Sequence, residues 1–138
     1  MRAYVDSSVL LRIVLGEAGR LAQWPRIAHA ATSEIARVEC LRTLDRLRLA
    51  SRIPDRELAR RRSTLLTILQ GIETVRLNRA VLDRAAEPFP TELRTLDAVH
   101  VASALLVRAR FPALRFATHD ADLGAGAQAL GFSVIGAG

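Results

Sequence analysis

Four acidic side chains, far apart in the chain, could together hold a metal ion. Asp6 and Asp120 each follow a short apolar run that predicts a buried strand. Asp97 falls in the first turn of a predicted helix, and Glu39 lies further along another. Carboxylates brought together repel one another unless protons or cations compensate them, and Mg2+ and Mn2+ prefer oxygen ligands. Such a site can activate water and stabilise the charge that develops on a phosphate, which is nuclease chemistry.

Strands that alternate with helices are expected to bring these acids together. The predicted strands cover residues 3–5, 30–33, 73–77, 114–118 and 132–135. The predicted helices cover residues 7–15, 34–49, 55–72, 78–86 and 95–110, and a short Ala- and Gly-rich helix ends at Gly131. This order predicts a three-layer α/β fold, a mainly parallel central sheet flanked by helices. Ligands of such sheets gather outside the carboxyl ends of the strands.

The second and third predicted helices should pack as a hairpin. The apolar face of the second helix is predicted from four residues at helical spacing, Ile35, Val38, Leu41 and Leu44. Glu39 faces away from that stripe. Asp55 follows Pro54 and is predicted to be the N-cap of the third helix, which carries Leu58, Leu65, Leu69 and Ile72.

Composition restricts the class of protein and of reaction. The chain has 138 residues, half of them apolar, which predicts one domain over residues 1–138. All 20 basic residues are Arg and the net charge is +6, so P-loop and Schiff-base lysine chemistry are excluded. The Arg excess fits a polyanionic partner or reflects genome composition. Arg42, Arg46 and residues 60–62 either contact RNA phosphates or form a solvated helix face.

The sequence also indicates a reducing compartment. Cys40 is the single cysteine and has no partner within the chain. No apolar run reaches the roughly 20 residues that span a bilayer, and the N-terminus lacks the pattern of a signal peptide. We therefore expect a cytoplasmic protein that does not enter a membrane.

Four segments resemble, in order, the four acidic motifs of PIN-domain proteins. They are residues 4–10, 33–39, 96–104 and 118–120. The resemblance runs over nearly the whole chain and is strongest to VapC toxins of type II toxin–antitoxin systems. It implies a PIN fold, Mg2+- or Mn2+-dependent endoribonuclease activity on RNA and a VapB-like antitoxin as partner. A homodimer is expected from the family alone, and the predicted helix hairpin is expected to present a groove to the antitoxin.

The resemblance also implies roles for individual residues. The metal-site and catalytic acids would be Asp6, Glu39, Asp97 and Asp120. Ser8 and Thr118 match family positions whose hydroxyls orient an acid or a metal-bound water, although such hydroxyls equally cap local backbone.

Each of the four acidic assignments has a rival. Asp97 could serve only as a favourable charge for the dipole of its helix. Asp6 could be a helix N-cap, a role that is compatible with metal binding. Glu34 competes with Glu39 but is expected to serve as a first-turn charge of its helix. Asp122 competes with Asp120, since either could reach a metal directly or through water, and we rank Asp120 first.

Two histidines lie close to the acids in sequence. His100 comes about one turn after Asp97 and could touch the acidic site, but it is predicted to be a partly buried histidine with satisfied hydrogen bonds. His119 precedes Asp120 and is predicted to lie on the surface.

Two other functions fit parts of the pattern. Phosphatases of the haloacid-dehalogenase type also use a strand-end Asp with Mg2+, but they need a second Asp two residues later, where this chain has Ser8. The remaining alternative is a non-catalytic PIN-like module that binds RNA or a protein.

Overall fold

The computed structural model describes residues 1–137 and places a five-stranded sheet between two layers of helices. The strands are β1 (Arg2–Val5), β2 (His29–Ser33), β3 (Glu73–Val75), β4 (Arg115–Ala117) and β5 (Ser133–Ile135). Their order across the sheet is β3-β2-β1-β4-β5, and every neighbouring pair is parallel. The predicted fold class is therefore confirmed.

The helices follow the predicted alternation with the strands. They are α1 (Ser7–Leu15), α2 (Glu34–Leu49), α3 (Asp55–Gln70), α4 (Arg79–Ala85), α5 (Thr95–Arg110) and α6 (Ala121–Ala129). Gly131 follows the C-cap of α6 with φ +89°, in agreement with its predicted role at the helix end. None of the helices within residues 1–137 is long and apolar enough to cross a bilayer.

Alternation along the strands divides the core into two layers. Val5 and Ala117 face α1, α2 and α3, whereas Tyr4 and Phe116 face α5 and α6. The rings of Tyr4 and Phe116 stack with their centroids 5.3 Å apart. Both layers pack against the neighbouring strands β1 and β4, so the ends of these two strands are held beside each other.

The predicted apolar face of α2 is wrong in part. The buried residues of α2 are Ala36, Cys40 and Leu44, whereas Val38 is 53% exposed. Small side chains at the first two positions let α2 pack closely on α1, where the Cys40 thiol approaches the carbonyl of Ser7. The helix is therefore rotated relative to the stripe of large apolar residues.

Two further local predictions are wrong. The N-cap of α3 is Pro54, whose carbonyl accepts the first helical hydrogen bond from Leu58, so Asp55 is already the first helical residue. Its carboxylate contributes a first-turn charge and no capping bond. Ile72 lies beyond the end of α3 but packs against the same core. A short 3-10 helix at Trp24–Arg26 was not predicted, because three residues show no periodicity.

Candidate functional site

Three of the acids considered from the sequence, Asp97, Asp120 and Asp122, line one cleft at the carboxyl ends of β1 and β4. Asp6 is buried, and Glu39 lines a separate groove. The strands β1 and β4 pair directly, with Val5 opposite Ala117, so Asp6 and Asp120 leave the sheet at the same edge. A polar cleft of about 460 Å3 opens there, lined by Thr91, Glu92, Arg94, Asp97, Asp120, Asp122 and Ala125. The sequence did not single out Thr91, Glu92 or Arg94, because the segment before α5 has no periodic pattern.

Asp6 is buried and fully hydrogen-bonded. It is only 4% exposed, and its Oδ1 accepts bonds from the Ser8 hydroxyl at 2.6 Å and the Val9 backbone N–H at 3.2 Å. Its Oδ2 accepts a bond from the Thr118 hydroxyl at 2.7 Å. Asp6 is thus the N-cap of α1, and these bonds offset the cost of burying its charge.

The hydroxyls of Ser8 and Thr118 perform both of the functions considered from the sequence. Each donates to Asp6 and also accepts a backbone N–H from the segment after β4. The acceptor for His119 N–H is Ser8 Oγ at 2.9 Å, and the acceptor for Asp120 N–H is Thr118 Oγ1 at 3.0 Å. The two hydroxyls therefore join the ends of β1 and β4 and hold the Asp6 carboxylate between them.

Asp120 and Asp122 both line the cleft but differ in how firmly they are held. Asp120 is the N-cap of α6, and its Oδ1 accepts bonds from the backbone N–H groups of Asp122 at 2.9 Å and Leu123 at 3.0 Å. The Asp122 carboxylate makes no hydrogen bond to any of residues 1–137. The orientation of Asp120 is fixed by the fold, and that of Asp122 is not.

The pKa of Asp97 responds to burial and to the charges of the other acids. Burial raises the pKa of this half-buried carboxyl, and the negative charge of Asp120 raises it further. The charges of Asp6 and Glu39 act in the same direction, while His100 opposes them. The charges of three other carboxylates, each from a separate part of the chain, therefore act on Asp97.

Glu39 accepts hydrogen bonds from two side chains, Ser7 and His100. Its Oε1 accepts bonds from the Ser7 hydroxyl and from His100 Nε2, both at 2.6 Å. Burial alone would raise the pKa of Glu39, but the contacts with His100 and Ser7 outweigh it and lower the pKa. Burial, together with the charges of Glu39 and Asp6, raises the pKa of the Cys40 thiol to about 12.

Other predicted residues lie outside this cluster or differ from expectation. Glu34 is in the first turn of α2, as predicted, and its Oε2 also accepts the Leu77 backbone N–H at 3.0 Å. His119 is half-buried and its Nδ1 donates to the Gly136 carbonyl at 3.2 Å, so its predicted surface position is wrong in part. His100 is more buried than expected, at 2% exposure, and touches an acid of the site.

The donor set fits a hard divalent cation in its chemistry. Within residues 1–137, no three His, Cys, Asp or Glu side chains are close enough to form a ready-made cation cage. Mg2+ commonly uses only one or two carboxylates and keeps several waters, so a cage of protein ligands is not required. Burial is the main cause of the raised pKa of Asp97, and the repulsion from Asp120 that adds to it is the interaction that a cation would relieve.

These observations define a class of protein, a parallel α/β domain with acids at the carboxyl ends of two neighbouring strands. The sequence matches the PIN domain family over residues 3–127. The chain belongs to this family.

Two curated relatives cover nearly the whole chain. Ribonuclease VapC46 of Mycobacterium tuberculosis (strain ATCC 25618 / H37Rv) is 32% identical over 136 residues, which are 96% of this chain and 95% of the relative. Ribonuclease VapC47 of M. tuberculosis (strain CDC 1551 / Oshkosh) is 30% identical over 136 residues, 94% of this chain and 92% of the relative.

Solved structures share the fold. A toxin-antitoxin complex from Klebsiella pneumoniae contains a chain that aligns with a TM-score of 0.66 and 16% identity, covering 96% of this chain and 95% of that one. PAE2754 from Pyrobaculum aerophilum aligns with a TM-score of 0.60 and 16% identity, over 97% and 83% of the respective chains. At these identities the likeness establishes the fold alone.

Proposed function

We propose that this protein is a Mg2+- or Mn2+-dependent endoribonuclease, the toxin of a VapBC-like toxin–antitoxin pair. The observation that carries the proposal is the polar cleft at the carboxyl ends of β1 and β4, where Asp97 of α5 lies with Asp120, Asp122 and Arg94. Relatives named ribonucleases, with matching length, support the same function.

The four acids differ in how firmly hydrogen bonds orient them. Asp6 and Asp120 are oriented by hydrogen bonds to the backbone and to hydroxyls, while Asp97 and Glu39 complete the set from α5 and α2. A bound Mg2+ or Mn2+ would supply Lewis acidity toward the phosphate and make water more acidic. The carboxylates, with Asp122 as a further candidate beside Asp120, would hold that ion and orient the attacking water.

Arg94 is the basic residue that lines the acidic cleft, which suits it to bind a phosphate of the RNA. Arg42 and Arg46 line a neighbouring groove. The Arg61 guanidinium makes intramolecular contacts, because it donates to the Val14 carbonyl at 2.9 Å and pairs with Glu57 at 3.1 Å. Of the predicted Arg run, only Arg60 and Arg62 are exposed for RNA.

We propose that the antitoxin binds the groove beside Glu39, which is lined by α1, α2 and α5 and not by α3 of the predicted hairpin. This groove of about 330 Å3 has apolar walls that include Leu11, Ile35, Val38 and Leu96, with Arg42 and Arg46 at its rim. Apolar walls with basic neighbours suit an amphipathic, acidic protein segment. We further propose a single domain that forms a homodimer, as expected for the family.

Cleavage of RNA by purified protein tests the proposal. The wild type should cut in Mg2+ or Mn2+, stop in EDTA and resume when metal is restored. Asp97→Asn should be folded and inactive, and its expression should no longer arrest growth. A folded wild type that binds RNA but never cuts it would favour the non-catalytic binding module instead.

A further inference from the structure

His100 lies in the interior between the sheet and the acidic site. It is 2% exposed, and both of its ring nitrogens have partners. Nδ1 is 2.7 Å from the hydroxyl of Tyr4 on β1, and Nε2 is 2.6 Å from Oε1 of Glu39 on α2. The ring therefore connects three elements, β1, α5 and α2.

The chemistry of the partners gives these hydrogen bonds a direction. A carboxylate oxygen only accepts, so Nε2 of His100 carries the hydrogen that it shares with Glu39. In the neutral imidazole Nδ1 is then an acceptor, and the Tyr4 hydroxyl donates to it. Nε2 therefore donates to Glu39 whether the ring is neutral or protonated. Ser7 adds a second donor to the same carboxylate oxygen.

We infer that His100, held by Tyr4, is a positioning residue that fixes Glu39 for binding the divalent cation. The inference rests on the proposed function and adds a residue to it. Two donors occupy Oε1, whereas Oε2 of Glu39 makes no hydrogen bond to residues 1–137. His100 thereby selects which oxygen of Glu39 is presented to an ion.

The network also explains how a residue of α2 is aligned with the strand that carries Asp6. Tyr4 precedes Asp6 by two residues on β1, is fully buried and stacks on Phe116. Its hydroxyl is therefore a rigid anchor for the His100 ring. Outer hydrogen-bond partners of metal ligands typically change metal affinity or activity by about 10- to 100-fold when they are removed.

A matched pair of variants separates positioning from simple packing. In His100→Gln the amide nitrogen reaches about as far as Nε2 and can donate to Glu39. In His100→Asn it reaches only about as far as Nδ1 and cannot. Both variants lose the ring and its packing, so their thermal stabilities should fall by similar amounts.

The readouts are the Kd for Mn2+, measured by electron paramagnetic resonance without RNA, and kcat for RNA cleavage. We expect His100→Asn to weaken Mn2+ binding by about 10- to 100-fold and His100→Gln to restore most of the loss. Tyr4→Phe should weaken Mn2+ binding less than His100→Asn, because it frees the ring without removing the donor. Equal Mn2+ affinity in the Gln and Asn variants would overturn the inference.

A measurement on the metal-free wild type keeps the inference separate from the proposed function. The 15N chemical shifts of the His100 ring should show hydrogen on Nε2. The opposite tautomer would overturn the positioning role even if the protein cuts RNA. A wild type with the expected tautomer that neither binds Mn2+ nor cuts RNA would overturn the proposed function, and with it the role of His100 toward a cation.

Discussion

Replacing Thr118 with Val should destabilise the protein because one hydroxyl joins two parts of the site. Thr118 is 0% exposed, donates to Asp6 Oδ2 at 2.7 Å and accepts the Asp120 N–H at 3.0 Å. Valine has nearly the same shape but cannot form either bond. A hydrogen bond to a charged group contributes about 1.5–3 kcal/mol, and a buried donor left without a partner costs about 1 kcal/mol or more.

The two contributions sum to about 3 kcal/mol, which for a domain of this size corresponds to a fall in Tm of roughly 10 °C or more. Urea unfolding followed by circular dichroism would give the free energy of unfolding. Thr118→Ser is the matched control, since it keeps the hydroxyl and removes only the methyl group. If the Val variant is as stable as the Ser variant, the hydroxyl does not join Asp6 to Asp120 as described.

Two further changes should alter stability in opposite directions. Gly136 has φ +93°, and an added Cβ would lie 2.7 Å from the Thr118 carbonyl oxygen, so Gly136→Ala should lower the unfolding free energy by about 2–4 kcal/mol. Gly71→Ala, whose Cβ would meet nothing closer than 3.5 Å, should change it by less than about 1 kcal/mol in the same urea titration. Asp97→Asn should stabilise the metal-free protein at neutral pH, by less than about 1 kcal/mol because the side chain is partly solvated. Burial and then the charge of Asp120 raise the pKa of Asp97 in the folded state, so ionised Asp97 destabilises the fold at any pH above that pKa. The stabilisation by Asp97→Asn should therefore fade as the pH falls toward the ordinary carboxyl pKa. A gain that persists in acid, or a loss at neutral pH, would contradict the repulsion between these acids.

The neighbourhood of the acids could be predicted because it follows from topology. Asp6 and Asp120 come directly after apolar strands, and parallel strands end at one edge of the sheet. The helix boundaries of α5 were also predictable, since an apolar stripe runs along its whole length and ends with the helix. These features depend on period and order, which a single sequence displays.

The contacts within the site could not be predicted in the same way. Spacing placed Val38 in the core, whereas the small residues Ala36 and Cys40 occupy it, so the rotation of α2 was misjudged. That rotation decides that Glu39 meets His100. Whether the small or the large side chains of a helix enter the core depends on how closely the neighbouring helix approaches. That distance is a property of the tertiary structure.

Capping bonds were predictable only where the residue types left one choice. Asp6 was recognised as a possible N-cap because a short polar side chain stands between a strand and a helix. Asp55 is also a short polar side chain before a predicted helix, but the preceding Pro54 already has the extended backbone of a cap, and the helix begins one residue earlier than expected for an Asp cap.

Calorimetric titration of Mn2+ into metal-free protein tests the central claim most directly. We predict that the wild type binds Mn2+ and that Asp97→Asn, although folded and at least as stable, has lost that binding. A folded wild type that takes up no Mn2+, or an Asp97→Asn variant with unchanged affinity, would contradict a metal centre formed by these carboxylates.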